Sequence, residues 1–106
     1  MGITAIKSSL DSYINRLQKQ FPLEGAYLYG SWAEGKANEE SDVDLLVLSS
    51  HFNNLSQEER DRILYRLSVG IPLELHVYGL TPQEYKNASP LTTIGVIRNS
   101  GKFVSL

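Results

Sequence analysis

The chain contains no cysteine, and its 106 residues include only one methionine, one tryptophan and two histidines. Without thiols there is no disulfide framework, no zinc-thiolate centre and no cysteine nucleophile. A chain free of cysteine is compatible with a reducing compartment. The two histidines, His51 and His76, are placed so that no Ser-His-Asp arrangement can be argued. There is no excess of positive charge: 10 Lys and Arg face 12 Asp and Glu, a formal net charge of −2. A broad basic surface is therefore excluded, and no direct nucleic-acid binding is expected. No apolar run approaches the roughly 18 residues of a membrane span. Residues 1–10 lack the apolar stretch of a signal peptide, so the expected location is cytoplasmic. There is no Gly-x4-Gly-Lys-Ser/Thr segment, which excludes a Walker A loop. Repeats, linkers and low-complexity stretches are missing too.

What is present is ordinary globular material, 42% hydrophobic and 21% charged. The length implies one domain over 1–106, able to bury roughly two-thirds of its unfolded surface. Ile3, Ile6, Leu10, Tyr13, Ile14 and Leu17 recur at three- and four-residue steps, which predicts an amphipathic helix. Phe21-Pro22 ends it, because a residue before proline avoids helical geometry. Residues 25–29 are short, aromatic-rich and bounded by glycine, and read as a first strand. Ser31 is placed to N-cap a short helix over 32–35, followed by a polar loop at 36–41. Residues 42–48 alternate, with Val43, Leu45 and Val47 on one face and Asp42, Asp44 and Leu46 on the other. Ser56 and Glu59 form a capping box for a helix running to about Val69, with Ile63, Leu64 and Leu67 inward and Gly70 as its stop. Residues 72–78 read as a third strand, with Leu73, Leu75 and Val77 facing one way and Glu74, His76 and Tyr78 the other. Thr81 and Glu84 form a second capping box with Pro82 at the first helical position. A final short helix is expected over 91–98 and an edge strand over 102–106.

Gly30-Ser31 follows the end of strand one, and after ten residues Asp42-Val43-Asp44 opens strand two. The two ends meet only if those strands are antiparallel. Strand three follows a long helical crossover, which favours running parallel to strand two. Glu74 then arrives at the same end as the aspartates. The expected fold class is α/β (α+β), a small mixed sheet with helices packed on the face opposite the site.

Asp42 and Asp44 share a face with Cα atoms about 6.7 Å apart, so their side chains can converge on ions roughly 3.5–4 Å apart, the spacing of two-metal phosphoryl chemistry. Carboxylates suit magnesium, which takes its remaining ligands from water and phosphate. Alone, an Asp-x-Asp pair at a strand start reads better as turn chemistry. Gly30-Ser31 at a strand-to-helix turn offers backbone N–H groups to an anion, although Gly-Ser occurs in many turns. Glu74 interrupts an apolar run, where charge is costly unless paired or metal-bound. It is either a solvent-facing glutamate or a third metal ligand or general base, and the preceding pair favours function.

In this order and spacing, these elements resemble the nucleotidyltransferase fold of the DNA polymerase beta superfamily. The run Tyr27-Leu28-Tyr29-Gly30-Ser31-Trp32-Ala33-Glu34-Gly35, followed by Ser41-Asp42-Val43-Asp44-Leu45-Leu46-Val47, resembles the minimal nucleotidyltransferase (MNT) branch, whose motif is Gly-Ser-x10-Asp-x-Asp. The resemblance covers nearly the whole chain. It implies that Asp42, Asp44 and Glu74 hold two Mg2+ ions and that Gly30 and Ser31 hold the β- and γ-phosphates of a nucleoside triphosphate such as ATP. An acceptor hydroxyl would then take the nucleoside monophosphate and release pyrophosphate. Glu74 stands where the family usually carries aspartate. Trp32 and Glu34 stand where many relatives carry arginine, so Lys36 is the expected source of positive charge at the nucleotide. Trp32 is expected to pack rather than stack on a base.

The remaining residues carry less. His76 shares a face with Glu74 and could move a proton, but a structural role is favoured. His51 is expected to do nothing specific. Arg60, Arg62 and Arg66 are read as a solvated helix face, with Arg62 and Arg66 spaced to share one side. The resemblance further implies a partner, because larger relatives add a helical domain that grips the base and acceptor. In the MNT branch the partner is commonly a helical HEPN-domain RNase toxin, silenced by AMP transfer to a tyrosine. The expectation is thus a hetero-oligomeric, ATP- and Mg2+-dependent antitoxin. The alternatives are transfer to a small-molecule hydroxyl and neutralisation of a partner by contact alone.

Overall fold

The computed structural model describes residues 2–106. A 3-10 turn at Ile3–Ala5 precedes helix α1, Lys7–Gln20. The predicted apolar stripe is thus split. Ile6 sits at φ −116 and joins the two pieces, while Leu10, Tyr13 and Leu17 are buried along α1. Phe21 then turns extended ahead of Pro22, as expected. Strand β1 is Gly25–Tyr29, β2 is Val43–Leu48 and β3 is Leu75–Leu80. Helix α2, Gln57–Ser68, links β2 to β3; after them come α3, Pro82–Asn87, α4, Thr93–Ser100, and a short β4, Val104–Ser105.

The sheet order is β3-β2-β1-β4. β1 pairs antiparallel with β2 and β4, and β2 pairs parallel with β3. This is the mixed topology expected from the position of the carboxylates. The third strand, however, starts three residues later than predicted and ends two later. Pro72 offers no N–H, and Leu73 N–H bonds back to Ile71 O at 2.8 Å, so the segment before Leu75 is a tight turn. At the other end Gly79 extends the strand rather than breaking it. A Cβ there would lie 2.9 Å from the Phe52 ring and 3.0 Å from Leu64, so the missing side chain is what lets the core close over β3.

Val43, Leu45 and Val47 enter the main core beneath α1 and α2, with Leu28, Phe52 and Leu64. Tyr13 of α1 is fully buried and donates its hydroxyl to Leu64 O at 2.9 Å, joining the two helices. Burial drives its phenol pKa well above the usual value. Leu46 and Leu48 project from the opposite face, so that face also needs covering away from the carboxylates. Leu80, Tyr27, Tyr85 of α3 and Ile94 of α4 supply the cover. Helices therefore reach both faces, rather than one as expected.

Two further expectations are revised. Ser56 caps α2 by accepting from Glu59 N–H at 3.1 Å, but the Glu59 carboxylate takes the Ser56 hydroxyl instead of its backbone N–H. The Thr81–Glu84 box forms in full. Arg60 does not lie on a solvated face. It is 6% exposed, and its guanidinium donates to Leu55 O (3.2 Å), Phe52 O (2.9 Å), Gly79 O (3.3 Å) and the Glu84 carboxylate (2.7 Å). Its spacing shows why: Arg60 sits three, four and seven residues before Ile63, Leu64 and Leu67, on the inward stripe. Arg62 stays outside, paired with Glu58 at 3.2 Å.

Candidate active site

The antiparallel register sets Tyr29 opposite Asp44, so the chain leaves β1 directly beside that carboxylate. Gly30 takes φ +74, and a Cβ on it would collide with the Asp44 side chain. Glycine is thus needed here twice, for the left-handed backbone and for the close approach. The turn continues as a 3-10 helix over Gly30–Trp32, with Ala33 and Glu34 N–H both bonding to Gly30 O. Tyr29, not Ser31, is the capping position, and no side chain caps the turn. Ser31 lies one step inside it, half-exposed, with its carbonyl accepting from Lys36 N–H at 2.9 Å.

Trp32 is buried as packing material, as expected, and does one more thing. Its indole N–H donates to Ser41 O at 3.2 Å, tying the glycine turn to the residue before Asp42. The loop between is pinned by Asn38 N–H to Ser41 Oγ at 2.9 Å and Glu40 N–H to Asn38 Oδ1 at 2.8 Å. The spacing between Gly-Ser and Asp-x-Asp is therefore a folded strap of set length.

Asp42 and Asp44 flank Val43, which points into the core, so both face away from it. Glu74 and His76 flank Leu75 in the same way, and the parallel register aligns Val43 with Leu75 and Asp44 with His76. Glu74 lies just before β3, where its carbonyl accepts from Val43 N–H at 2.9 Å. Four polar side chains thus form a two-by-two patch on adjacent strands. Donor atoms of Asp42, Glu74 and His76 all lie within 4.8 Å of one another, and His76 Nε2 stands 3.3 Å from Asp42 Oδ2. His76 is exposed at this cluster, with Asp42 as its polar neighbour. The period-two placement with Glu74 was the signal for it.

Asp44 is the most enclosed of the carboxylates. Burial pushes its pKa up, the His76 imidazole offsets part of that rise, and the negative charge of Asp42 adds to it. Tyr29 is raised as well, by burial first and then by Asp44 and Tyr78. Three carboxylates gathered on one face leave it short of positive charge. Its oxygen-rich donor set suits a divalent cation. Lys36 does not fill that need within the chain: it is exposed, with Nζ 3.9 Å from the Glu34 carboxylate. A cleft of about 280 Å³ opens beside Glu74, lined by Ile6, Trp32, Ser41 and Leu73 among others, but neither Gly30 nor Asp44 lines it.

The nucleotidyltransferase domain family matches residues 10–102. The chain belongs to that family. Among solved structures, this nucleotidyltransferase domain resembles a candidate nucleotidyltransferase from Sulfolobus solfataricus, at a TM-score of 0.60 and 24% identity over 81% of each chain. It also resembles a toxin–antitoxin solved with AMP-PNP, at a TM-score of 0.55 and 23% identity, over 76% of this chain and 60% of that one. These likenesses share the fold. No curated protein matches the chain significantly. Nucleotidyl transfer is the chemistry of the family, and the chain is a transferase by its domain. Among the described residues no helix is long and apolar enough to cross a membrane.

Proposed function

We propose that this nucleotidyltransferase moves AMP from ATP onto a tyrosine hydroxyl of a helical HEPN-domain RNase and so acts as its antitoxin. The observation that carries the reading is the seat of Gly30 against Asp44, with Asp42 and Glu74 gathered on the same face. It joins an anion-binding turn and a cation-binding patch within one side-chain length. The toxin–antitoxin neighbour with AMP-PNP supports both the adenine nucleotide and the protein partner.

Asp42, Asp44 and Glu74 would hold two magnesium ions, which supply Lewis-acid stabilisation of charge on the attacking and leaving oxygens. Gly30 and Ser31 would bind the β- and γ-phosphates through the N–H groups and hydroxyl of the turn. Lys36 reaches the same phosphates by leaving its weak, exposed pairing with Glu34. The acceptor oxygen bonds to the α-phosphorus, the bond to the β-phosphate bridging oxygen breaks, and pyrophosphate leaves. Glu74, exposed at the rim of the patch, takes the hydroxyl proton. The partner contributes the acceptor and the grip on the base, for which the shallow face offers no enclosure.

The test is the intact mass of a HEPN protein encoded beside this chain, after incubation with the chain, magnesium and each ribonucleoside triphosphate. A gain of one or more nucleoside monophosphates, largest with ATP and absent with the Asp42→Ala, Asp44→Ala variant, is the expected result. A stable complex with no gain from any nucleotide would replace transfer with neutralisation by contact. Gain on a small hydroxylated molecule alone would remove the antitoxin reading.

A further inference from the structure

We infer that His76 is itself a metal ligand, and that Asp42, Glu74 and His76 form a mixed nitrogen–oxygen corner that prefers a divalent transition-metal ion to magnesium. The inference rests on reading Asp42 and Glu74 as metal-binding, as above, and extends it to a residue outside the carboxylate set.

The geometry comes from the sheet. Leu75 packs against the core, so Glu74 and His76 emerge on the site face two residues apart. His76 is the register partner of Asp44 and lies across from Asp42 with Nε2 3.3 Å from Oδ2. One donor atom from each of Asp42, Glu74 and His76 falls within a 4.8 Å span. Metal–ligand bonds of about 2.0–2.2 Å let one ion touch all three after small side-chain rotations. All three side chains are exposed and face solvent, so the rotations meet no packed neighbour and the open positions remain for water or phosphate oxygens.

The chemical consequence follows from the nitrogen donor. Magnesium favours an all-oxygen shell and dehydrates reluctantly. Affinity for divalent first-row ions rises from manganese through cobalt and nickel to copper and falls again at zinc, and an imidazole nitrogen suits nickel, copper and zinc in particular. Asp44, enclosed against Gly30, adjoins the corner as the register partner of His76.

Manganese is the probe, because its electron spin reports directly bonded nitrogen. The free chain, without nucleotide, is titrated with Mn2+ and examined by electron spin-echo envelope modulation. Nitrogen modulation is expected, and only two histidines exist to supply it. His76→Ala should abolish the modulation and weaken Mn2+ binding by roughly tenfold or more, since even outer-shell changes cost 10–100-fold. Mg2+ binding should move far less. His51→Ala should leave everything unchanged, because that ring stacks flat on Phe21, with centroids 5.2 Å apart. Bound Mn2+ without nitrogen modulation, modulation surviving in His76→Ala, or no Mn2+ binding by the wild-type chain would each overturn the inference. Since no nucleotide is present, the first two results would leave the transfer reaction standing on the carboxylates alone.

Discussion

At the scale of single residues, the site combines groups that would not choose one another's company without a ligand. Asp44 is half-buried beside Asp42, and its carboxyl is held above the usual range chiefly by burial. A raised pKa means the folded state binds the proton more tightly than the unfolded chain. Ionised Asp44 therefore lowers stability, and that loss grows as pH rises through the carboxylate range. Asp44→Asn removes the charge while keeping the shape. It is expected to raise the melting temperature of the metal-free chain at pH 7 while abolishing transfer, as scanning calorimetry and the mass assay would show. A drop in melting temperature would mean that Asp44 is structural. Gly30 belongs to the same scale, since its backbone and its missing Cβ serve the one contact with Asp44. The Gly-Ser and Asp-x-Asp pairs were legible because both constraints act on residue identity. The nearness of His76 to Asp42 was not legible there, because a contact across adjacent strands is not written at the residue.

At the scale of elements, the join between α2, β3 and α3 is made by Arg60. Its guanidinium serves three backbone carbonyls and Glu84 from a position 6% exposed. Arg60→Ala should cost about 2–4 kcal/mol, from about 1 kcal/mol for each of several lost bonds together with the carbonyls left dry. The Glu84 partner adds little, since its side chain is 45% exposed. Lysine cannot reproduce the fork of donors, so Arg60→Lys should recover less than half of the loss in urea unfolding.

The same join responds to acid. The Arg60 hydrogen bond, opposed by modest burial and helped by the Thr81 backbone and hydroxyl, holds Glu84 below the usual carboxylate range. A depressed folded pKa gives stability that is present above the unfolded value, near 4.5. It is lost as pH falls through the lower folded value. Glu84→Gln should therefore flatten the decline in stability below about pH 4.5 while lowering stability at pH 7. Unfolding curves at pH 7 and pH 3.5 check both signs. Both capping sequences marked helix starts correctly, because a cap is a local contest between side chain and backbone. The ends of β3 were misplaced because the Ile71–Leu73 turn and the Phe52 ring over Gly79 are decided by neighbours.

At the scale of the whole molecule, the fold brings one end of β1, β2 and β3 to a single negatively charged face. A cation that binds this face and not the unfolded chain stabilises the fold by mass action. At a hundredfold excess over its dissociation constant the gain is about 2.7 kcal/mol, a rise on the order of 10 °C for a domain of this size. Thermal unfolding with and without Mn2+ should show that rise in the wild-type chain. It should vanish in the Asp42→Ala, Asp44→Ala variant; an equal rise there would place the ion elsewhere.

By itself, the sequence determined the elements, the mixed pairing of the sheet and the three carboxylates that gather at one end of it. Alternation, helical periodicity and capping act over a few residues, and the parallel and antiparallel choices follow from where Gly30, Asp42 and Glu74 must meet. Only the tertiary structure decided that Arg60 turns inward, that His76 stays out beside Asp42 and that α3 and α4 reach the second face. Each depends on what a side chain meets across the sheet or between helices, and burial of that kind exists only once distant segments have packed.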